Sequence, residues 1–263
     1  TNMSNFPATP ATPATPAATP ATPTKLSVAV VAFNHEIKLL HGDPSTAQHV
    51  VAIDVSGSIQ TNNLVKPLRE AAGCALVDET GGNGQPLSVS VPEPNGMTAI
   101  IGVIQAYPHA EKLTIITDGE ETVFYGELQI KDETKYFDPD SENAAALLAE
   151  YVASKSGTKF VLLGIGQGAE KTTKAWLDVP NAFVGHIHEN STIRETKAVV
   201  DVVKSNARRN KRVTVVTTPS NIQVADLTEQ QRLEYDEVIT RVVVEGQAAS
   251  TVITTGQDLV SHM

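Results

Sequence analysis

The sequence predicts an α/β fold, with a doubly wound, mostly parallel sheet flanked by helices. Between residues 48 and 207, short apolar segments alternate with segments of helical periodicity, and this alternation is typical of βαβ units. The apolar segments are nearly continuous in Val, Ile, Leu and Ala, as expected for parallel strands that are covered on both faces. With 263 residues, 41% of them hydrophobic, the chain is long enough for a sizeable core.

The predicted core follows a regular order of buried strands and helices. The predicted strands are residues 49–53, 113–117, 160–165 and 182–187. The predicted helices are residues 61–78, 98–107, 141–156, 169–177 and 191–207. Asp140 or Ser141 is the expected N-cap of the third helix, because both side chains accept hydrogen bonds from a first helical turn. A short edge strand is predicted over Leu87–Val91.

The segments on either side of this core predict further strands. Residues 25–41 read as two strands joined by a turn at Asn34-His35. In the C-terminal part, residues 213–217 predict a strand, residues 228–240 a helix, and residues 242–255 are rich in β-branched side chains. We expect the N- and C-terminal segments to form a small β-rich annex beside the main sheet, or an arm that docks on a partner.

Residues 1–24 are dominated by a low-complexity repeat of Ala, Thr and Pro. Proline removes backbone donors and fixes φ, which excludes helices and central strands from this segment. We expect a disordered, extended tether that holds the domain away from a larger assembly. The predicted plan is a tether (1–24), a domain (25–212, with its core at 48–205) and a C-terminal extension or docking arm (213–263).

Net charge, cysteine content and hydrophobic runs limit the classes of protein to which the chain can belong. The formal net charge of −10 argues against a general nucleic-acid binder, because attraction to phosphates needs excess Lys and Arg. The single cysteine, Cys74, lies in an apolar helical segment, and we interpret it as a core residue because one thiol cannot form an internal disulfide. No membrane span and no signal peptide are recognised in the sequence, so the expected setting is intracellular or virion-associated.

One short motif carries most of the functional prediction. Asp54-Val55-Ser56-Gly57-Ser58 directly follows the first buried strand. In open α/β sheets, ligands bind beyond the carboxyl ends of the strands, where alternate side chains of a tight loop can face one point. Hydroxyl and carboxylate oxygens are hard ligands that suit Mg²⁺ or Mn²⁺. Two further segments supply oxygens at comparable places, namely Asn95–Thr98 before a helix and Thr117-Asp118-Gly119 at a strand end.

This three-part set resembles the metal-ion-dependent adhesion site (MIDAS) of von Willebrand factor A (vWA) domains. The resemblance covers residues 48–205. It implies a vWA-like fold in which Ser56, Ser58 and Thr98 are direct ligands of Mg²⁺, Mn²⁺ or Ca²⁺, and Asp54 and Asp118 bind directly or through water. It also implies that an acidic residue of a partner protein fills one open coordination position. About 40 residues separate Ser58 from Thr98, which is shorter than in family members with an extra hairpin there, and Met97 stands where Gly is common.

Several other motifs receive structural interpretations. The glycines of Gly164–Gly168 are interpreted as turn residues, because a dinucleotide site would need an acidic partner about 20 positions later. His186 and His188 are interpreted as polar strand-end residues, since a zinc pair would need a third ligand. Glu120, Glu121 and Glu127 are interpreted as an exposed acidic loop. The basic cluster comprises Arg208, Arg209, Lys211 and Arg212, and its residues are expected to complement a helix C-terminus.

Three functions follow from these observations. The first is a binding module that grips a partner carboxylate through the metal ion. The second is a Mg²⁺-dependent hydrolase, or a non-catalytic subunit of an ATP-driven complex such as a metal chelatase. The third is a structural component of a virion or another large assembly. An enzymatic function is not expected, because Ser56 stands where a similar phosphatase would carry its second carboxylate and no Walker sequence is present.

Overall fold

The structure is a computed structural model that describes residues 27–80 and 85–210, and the backbone of residues 213–217, 240–244 and 251–253. The predicted tether lies outside the described residues. The predicted helix at 228–240 also lies outside them, except that Thr240 begins a strand.

Strands and helices alternate through the described chain. The strands are β1 (Val28–Phe33), β2 (Ile37–His41), β3 (His49–Asp54), β4 (Lys112–Thr117), β5 (Gly126–Ile130), β6 (Glu133–Phe137), β7 (Lys159–Ile165), β8 (Ala182–Ile187), β9 (Val213–Thr217), β10 (Thr240–Val244) and β11 (Thr251–Ile253). The helices are α1 (Gly57–Thr61), α2 (Val65–Leu76), α3 (Ile100–Ala106), α4 (Ala144–Ser154), α5 (Glu170–Ala175) and α6 (Ile193–Arg209), with a 3-10 turn at Gln167–Ala169.

Nine of these strands form one sheet in the order β11-β10-β9-β8-β7-β4-β3-β1-β2. The run from β9 to β1 is parallel throughout, whereas β2, β10 and β11 pair in the antiparallel sense at the two edges. Strands β5 and β6 form a separate antiparallel hairpin. The predicted α/β class with a mostly parallel sheet is therefore confirmed.

Hydrophobic clusters cover both faces of the sheet. In the parallel strands β1, β3, β4, β7 and β8, alternate residues contribute to opposite clusters, as Ala52 and Ile53 of β3 illustrate. Side chains of α3 and α4 belong to the first cluster, and side chains of α1, α2 and α6 belong to the second. Two-sided burial explains why these strands are continuously apolar in sequence. It also fixes the position at which each strand leaves the core, and therefore where the following loop begins.

The terminal segments occupy places other than those predicted. The expected annex, formed jointly by the N- and C-terminal segments, is wrong, because β1 and β2 extend one edge of the main sheet while β9, β10 and β11 extend the other. A strand at the edge of a sheet has unpaired backbone N–H and C=O groups. Pairing with these groups also satisfies the backbone groups of the terminal segment. The strands themselves, at 25–41 and 213–217, were correctly predicted.

Three local predictions differ from the structure in part or in full. The helix predicted at 61–78 is found as α2, but it begins only at Val65, because Asn63 has a left-handed φ of 58° that separates α2 from the short helix α1. The edge strand predicted at Leu87–Val91 is extended but lies in no strand of the described chain. Its apolar side chains pack on the cluster beneath α2. Neither Asp140 nor Ser141 caps the third predicted helix, which begins after Asn143. The β5–β6 hairpin was not predicted.

Candidate metal site

Two neighbouring parallel strands bring the predicted ligands together at their carboxyl ends. Asp54 is the last residue of β3, and Thr117 is the last residue of β4, so Asp118 is the first residue beyond it. Ile53 and Ile116 are paired in register directly before them. Asp54 is fully buried, and Asp118 is nearly so. The carboxyl ends of the strands therefore place both carboxyl groups at the same level of the fold.

Four of the five predicted residues are joined by hydrogen bonds. The Ser56 amide donates to Asp54 Oδ1 over 2.8 Å, and the Ser58 hydroxyl donates to Asp118 Oδ1 over 2.9 Å. The two serine hydroxyls are 2.9 Å apart. Because Ser58 directs its proton to Asp118, Ser56 donates to Ser58 in that pair. The result is a chain of hydroxyls that ends on one oxygen of Asp118.

Thr98 reaches the same place through its loop. The Asn95 amide donates to the Val55 carbonyl over 2.7 Å, and the Gly57 amide donates to the Gly96 carbonyl over 2.8 Å. Thr98 itself is buried, and its amide donates to the Thr122 hydroxyl over 2.9 Å. The loop of Thr98 therefore lies between the loop that follows β3 and the loop that follows β4. The loop is held in this place by hydrogen bonds that its backbone amide and carbonyl groups make.

Electrostatics set the two carboxyl groups apart from ordinary surface acids. Burial raises the pKa of Asp54 to about 7, with a further contribution from the charge of Asp118, while the hydrogen bonds from Thr117 and Ser56 oppose the rise. Burial also raises the pKa of Asp118, against the opposing effect of Ser58 and the neighbouring Asn62 amide. Two adjacent buried carboxylates are costly at neutral pH, and a divalent cation between them would offset that cost.

The available donor atoms fit a hard cation. Asp118 Oδ2 is buried and has no hydrogen-bond partner, and such an orphaned oxygen normally calls for a partner such as an ion. Within the described part of the chain, no group of three or more His, Cys, Asp and Glu residues is placed to hold a metal ion. A site here would therefore depend on the hydroxyls as well as the carboxylates. Hydroxyl and carboxylate oxygens suit Mg²⁺, Mn²⁺ or Ca²⁺ better than softer metals.

Two residues outside the predicted ligand set support the loops of the site. The Thr117 hydroxyl donates to Asp54 Oδ2 over 2.6 Å. Glu121 is buried with 2% exposure, so its interpretation as part of an exposed acidic loop was wrong. Its carboxylate accepts the amides of Ile101, Val123 and Phe124 over 2.7, 2.8 and 3.0 Å. Thr117 stands in the quoted motif, but no pattern in the sequence indicates that Glu121 turns inward.

The remaining motifs have structural roles. His186 Nε2 donates to the Gly166 carbonyl over 2.7 Å, so this nitrogen is occupied and the expected structural role of the histidine is supported. Gly164 lies so close to Thr173 that an added Cβ would be 2.5 Å from the threonine methyl group. This close packing explains the glycine, and no nucleotide-binding role is needed for it. Cys74 is buried in the second hydrophobic cluster, as predicted.

Comparisons with known proteins add no relative. A scan against protein-family models and searches of curated proteins and of solved structures found no match. Within the described residues, no helix has the length and apolar character that a membrane span requires.

Proposed function

We propose that this chain contains a vWA-like domain that binds a divalent cation, and through it a carboxylate of a partner protein. The observation that carries the proposal is the buried, unpartnered Oδ2 of Asp118 at the end of the hydroxyl chain from Ser56 and Ser58. A cation is the simplest ligand that satisfies this oxygen and relieves the burial of Asp54. Mg²⁺ is the preferred ion, with Mn²⁺ or Ca²⁺ as substitutes.

Each residue has a definite role in the proposal. Ser56, Ser58 and Thr98 supply neutral oxygens, and Asp54 and Asp118 supply charge, either directly or through water. Thr117 and the Ser56 amide hold Asp54 in place, as outer-shell partners commonly hold metal ligands. The bound ion would act as a Lewis acid that attracts an anionic oxygen. Because so few of the proposed direct ligands are charged, the ion would retain affinity for a carboxylate from outside.

The topology offers an explanation for the short spacing between Ser58 and Thr98. Family members with an extra hairpin carry it between these two segments. In this chain, the β1–β2 hairpin precedes Asp54 and occupies the sheet edge beside β3. A hairpin supplied from the N-terminal side would make a second hairpin after Ser58 unnecessary, so the spacing is compatible with a vWA-like domain.

The geometry favours binding over hydrolysis. A serine nucleophile needs a positioned base, yet the Ser56 and Ser58 hydroxyls bond to each other and to Asp118, and neither bonds to a histidine in the described chain. A hydrolase, a subunit of an ATP-driven complex and an assembly component stay as alternatives. Mg²⁺-dependent turnover of a phosphate ester that disappears in Asp54→Ala would favour the hydrolase. Assembly into a larger particle that is insensitive to EDTA would favour the structural role.

Selection from a random displayed-peptide library tests the proposal. The full chain is immobilised in Mg²⁺ and in EDTA, beside Asp118→Ala and the matched control Asp178→Ala. Asp178 is exposed and precedes the amino end of β8, whereas Asp118 follows the carboxyl end of β4. We expect wild type and Asp178→Ala to enrich peptides that share an Asp or Glu, in Mg²⁺ only. Enrichment of the same peptides by Asp118→Ala, or by wild type in EDTA, would show that the peptides do not bind through a metal ion at this site.

A further inference from the structure

The tip of the β1–β2 hairpin is fastened to the loop that carries Thr98. Asn34 Nδ2 donates to the Asn95 carbonyl over 2.9 Å and to Asn95 Oδ1 over 3.0 Å. At the other end of the same amide, Asn34 Oδ1 accepts the Glu36 amide over 2.8 Å. One side chain thus closes the hairpin tip with its oxygen and holds a loop 61 residues away with its nitrogen.

His35 adds a steric contact to this connection. Gly96 has a φ of +77°, and a Cβ added there would be 2.5 Å from His35 Nδ1. Glycine is therefore required at this position both by its conformation and by the approach of the imidazole. The carbonyl of the same glycine accepts the Gly57 amide over 2.8 Å. The hairpin tip, the Thr98 loop and the loop after Asp54 consequently form three successive layers.

The Thr98 loop depends on such bonds because it has little structure of its own. Residues 87–99 contain no helix or strand, so the backbone before Thr98 is fixed by contacts with other segments. On the N-terminal side these contacts are made by Asn95 and Gly96, with Asn34, Val55 and Gly57 as their partners. On the C-terminal side, Thr98 pairs with Thr122. Asn34 is the side chain that ties this loop to the edge of the sheet.

We propose that Asn34 is a positioning residue for the metal site, which acts on the ion through the loop of Thr98. The inference rests on the proposed function, because it assigns Asn34 a role in cation affinity. Asn34 bonds to Asn95 and Glu36 and, within the described residues, to none of Ser56, Ser58 and Asp118. Loss of its donors removes the side-chain bonds to Asn95 and leaves the backbone bonds to Val55 and Gly57. The loop is then held less firmly, so that ordering Thr98 around the ion becomes part of the binding cost.

The test is a titration of the full chain with Mg²⁺ that is monitored by NMR, because NMR detects weak as well as tight binding. We expect Asn34→Ala to weaken Mg²⁺ binding by about tenfold, as outer-shell substitutions commonly do. Glu36→Ala removes an exposed side chain from the same tip and is the matched control, with unchanged affinity expected. In a Thr98→Ala background, Asn34→Ala should have little further effect, because residues that act through one contact are not additive.

The outcomes separate this inference from the proposed function. If wild type does not bind Mg²⁺, the proposed function fails. If wild type binds and Ser58→Ala loses binding while Asn34→Ala binds as wild type does, only the positioning role is overturned. The positioning role is also overturned if Asn34→Ala still weakens Mg²⁺ binding by the full tenfold in the Thr98→Ala background. Should Asn34→Ala fail to fold, Asn34→Asp replaces it in the same cycle, because its oxygen can still accept the Glu36 amide while its donors to Asn95 are lost.

Discussion

The Ser58 hydroxyl donates a hydrogen bond of 2.9 Å to Asp118 Oδ1, and this bond joins the loop after β3 to the end of β4. It satisfies one oxygen of the carboxylate and leaves the other, Oδ2, buried without a partner. Asp118 is thereby oriented but not fully satisfied. A carboxylate in this condition is suited to bind a cation.

Asp54 should make the metal-free protein less stable above neutral pH. Its pKa is about 7 in the folded chain, against 3.8 for an ordinary Asp. The folded state therefore takes up a proton between pH 7 and pH 4 that the unfolded state does not, so this group increases stability as pH falls through that range. The shift corresponds to at most about 4 kcal/mol. Asp54→Asn should flatten this dependence.

Urea unfolding in EDTA at intervals from pH 5 to pH 8 measures the effect. Asp178→Asn, an exposed aspartate in a turn, is the control and should keep the slope of wild type. An equal slope in Asp54→Asn and wild type would mean that Asp54 is ionised throughout this range.

His49 should act in the opposite direction. Burial lowers the pKa of His49 below 6.5, although Glu79 opposes the effect. The unfolded state therefore takes up a proton as pH falls below 6.5 while the folded state does not, and stability is lost. In the Asp54→Asn background, unfolding free energy should fall between pH 6.5 and pH 5. Adding His49→Gln should reduce that fall, and an unchanged fall would show that other groups cause it.

Gly168 should be required for the position of Asp118. An added Cβ would be 2.6 Å from the Asp118 carbonyl oxygen, whereas a Cβ on Gly157 meets no atom within 4 Å. Neither glycine has a positive φ, so the pair differs in steric contact and not in backbone conformation. We expect Gly168→Ala to destabilise the chain by about 1–3 kcal/mol and to weaken Mg²⁺ binding. Gly157→Ala should do neither.

Thermal unfolding with and without Mg²⁺ measures both effects for the two glycine variants. Equal stability of Gly168→Ala and Gly157→Ala would show that the backbone at Asp118 accommodates the methyl group without cost.

Glu121 should be a structural anchor despite its position in an acidic segment. Its carboxylate accepts three backbone amides from the start of α3 and the loop after β4. Glutamine offers a single oxygen, so Glu121→Gln leaves at least one buried amide unpaired and should cost about 1–3 kcal/mol. Glu120→Gln is the matched control, because Glu120 makes a partly exposed ion pair with Lys171 worth about 1 kcal/mol or less. Equal unfolding free energies for the two variants, measured in urea, would contradict this account.

The sequence predicted the parts of the fold in which local pattern and burial agree. β8 (Ala182–Ile187) is apolar at nearly every position and buried throughout, so its bounds could be predicted residue by residue. Asp54 and Asp118 follow comparable strands, and the rule that ligand sites lie beyond strand ends placed them together. The hydrogen bonds of Ser56 and Ser58 connect the same two loops.

Other features depend on contacts that are distant in sequence. The β5–β6 hairpin alternates buried residues such as Leu128 with exposed residues such as Glu127, and within an acidic segment this pattern resembles a loop. Glu121 is buried because α3 presents a free amide to it, which only the tertiary structure determines. The bond from Asn34 to Asn95 spans 61 residues. Asn34 lies in a predicted turn and Asn95 begins a predicted ligand segment, but neither pattern indicates that the two residues meet.

The most direct test of the account is a calorimetric titration of the chain with Mg²⁺ at pH 8, where Asp54 is ionised. Ser58→Ala is compared with Ser156→Ala, because Ser156 is exposed and lies before the amino end of β7, away from the carboxyl ends of the strands. We expect one Mg²⁺ ion per chain for wild type and Ser156→Ala, with binding lost or weakened at least about tenfold in Ser58→Ala. Absence of binding by wild type, or equal binding by the two variants, would contradict a metal site at Asp54, Ser56, Ser58, Thr98 and Asp118.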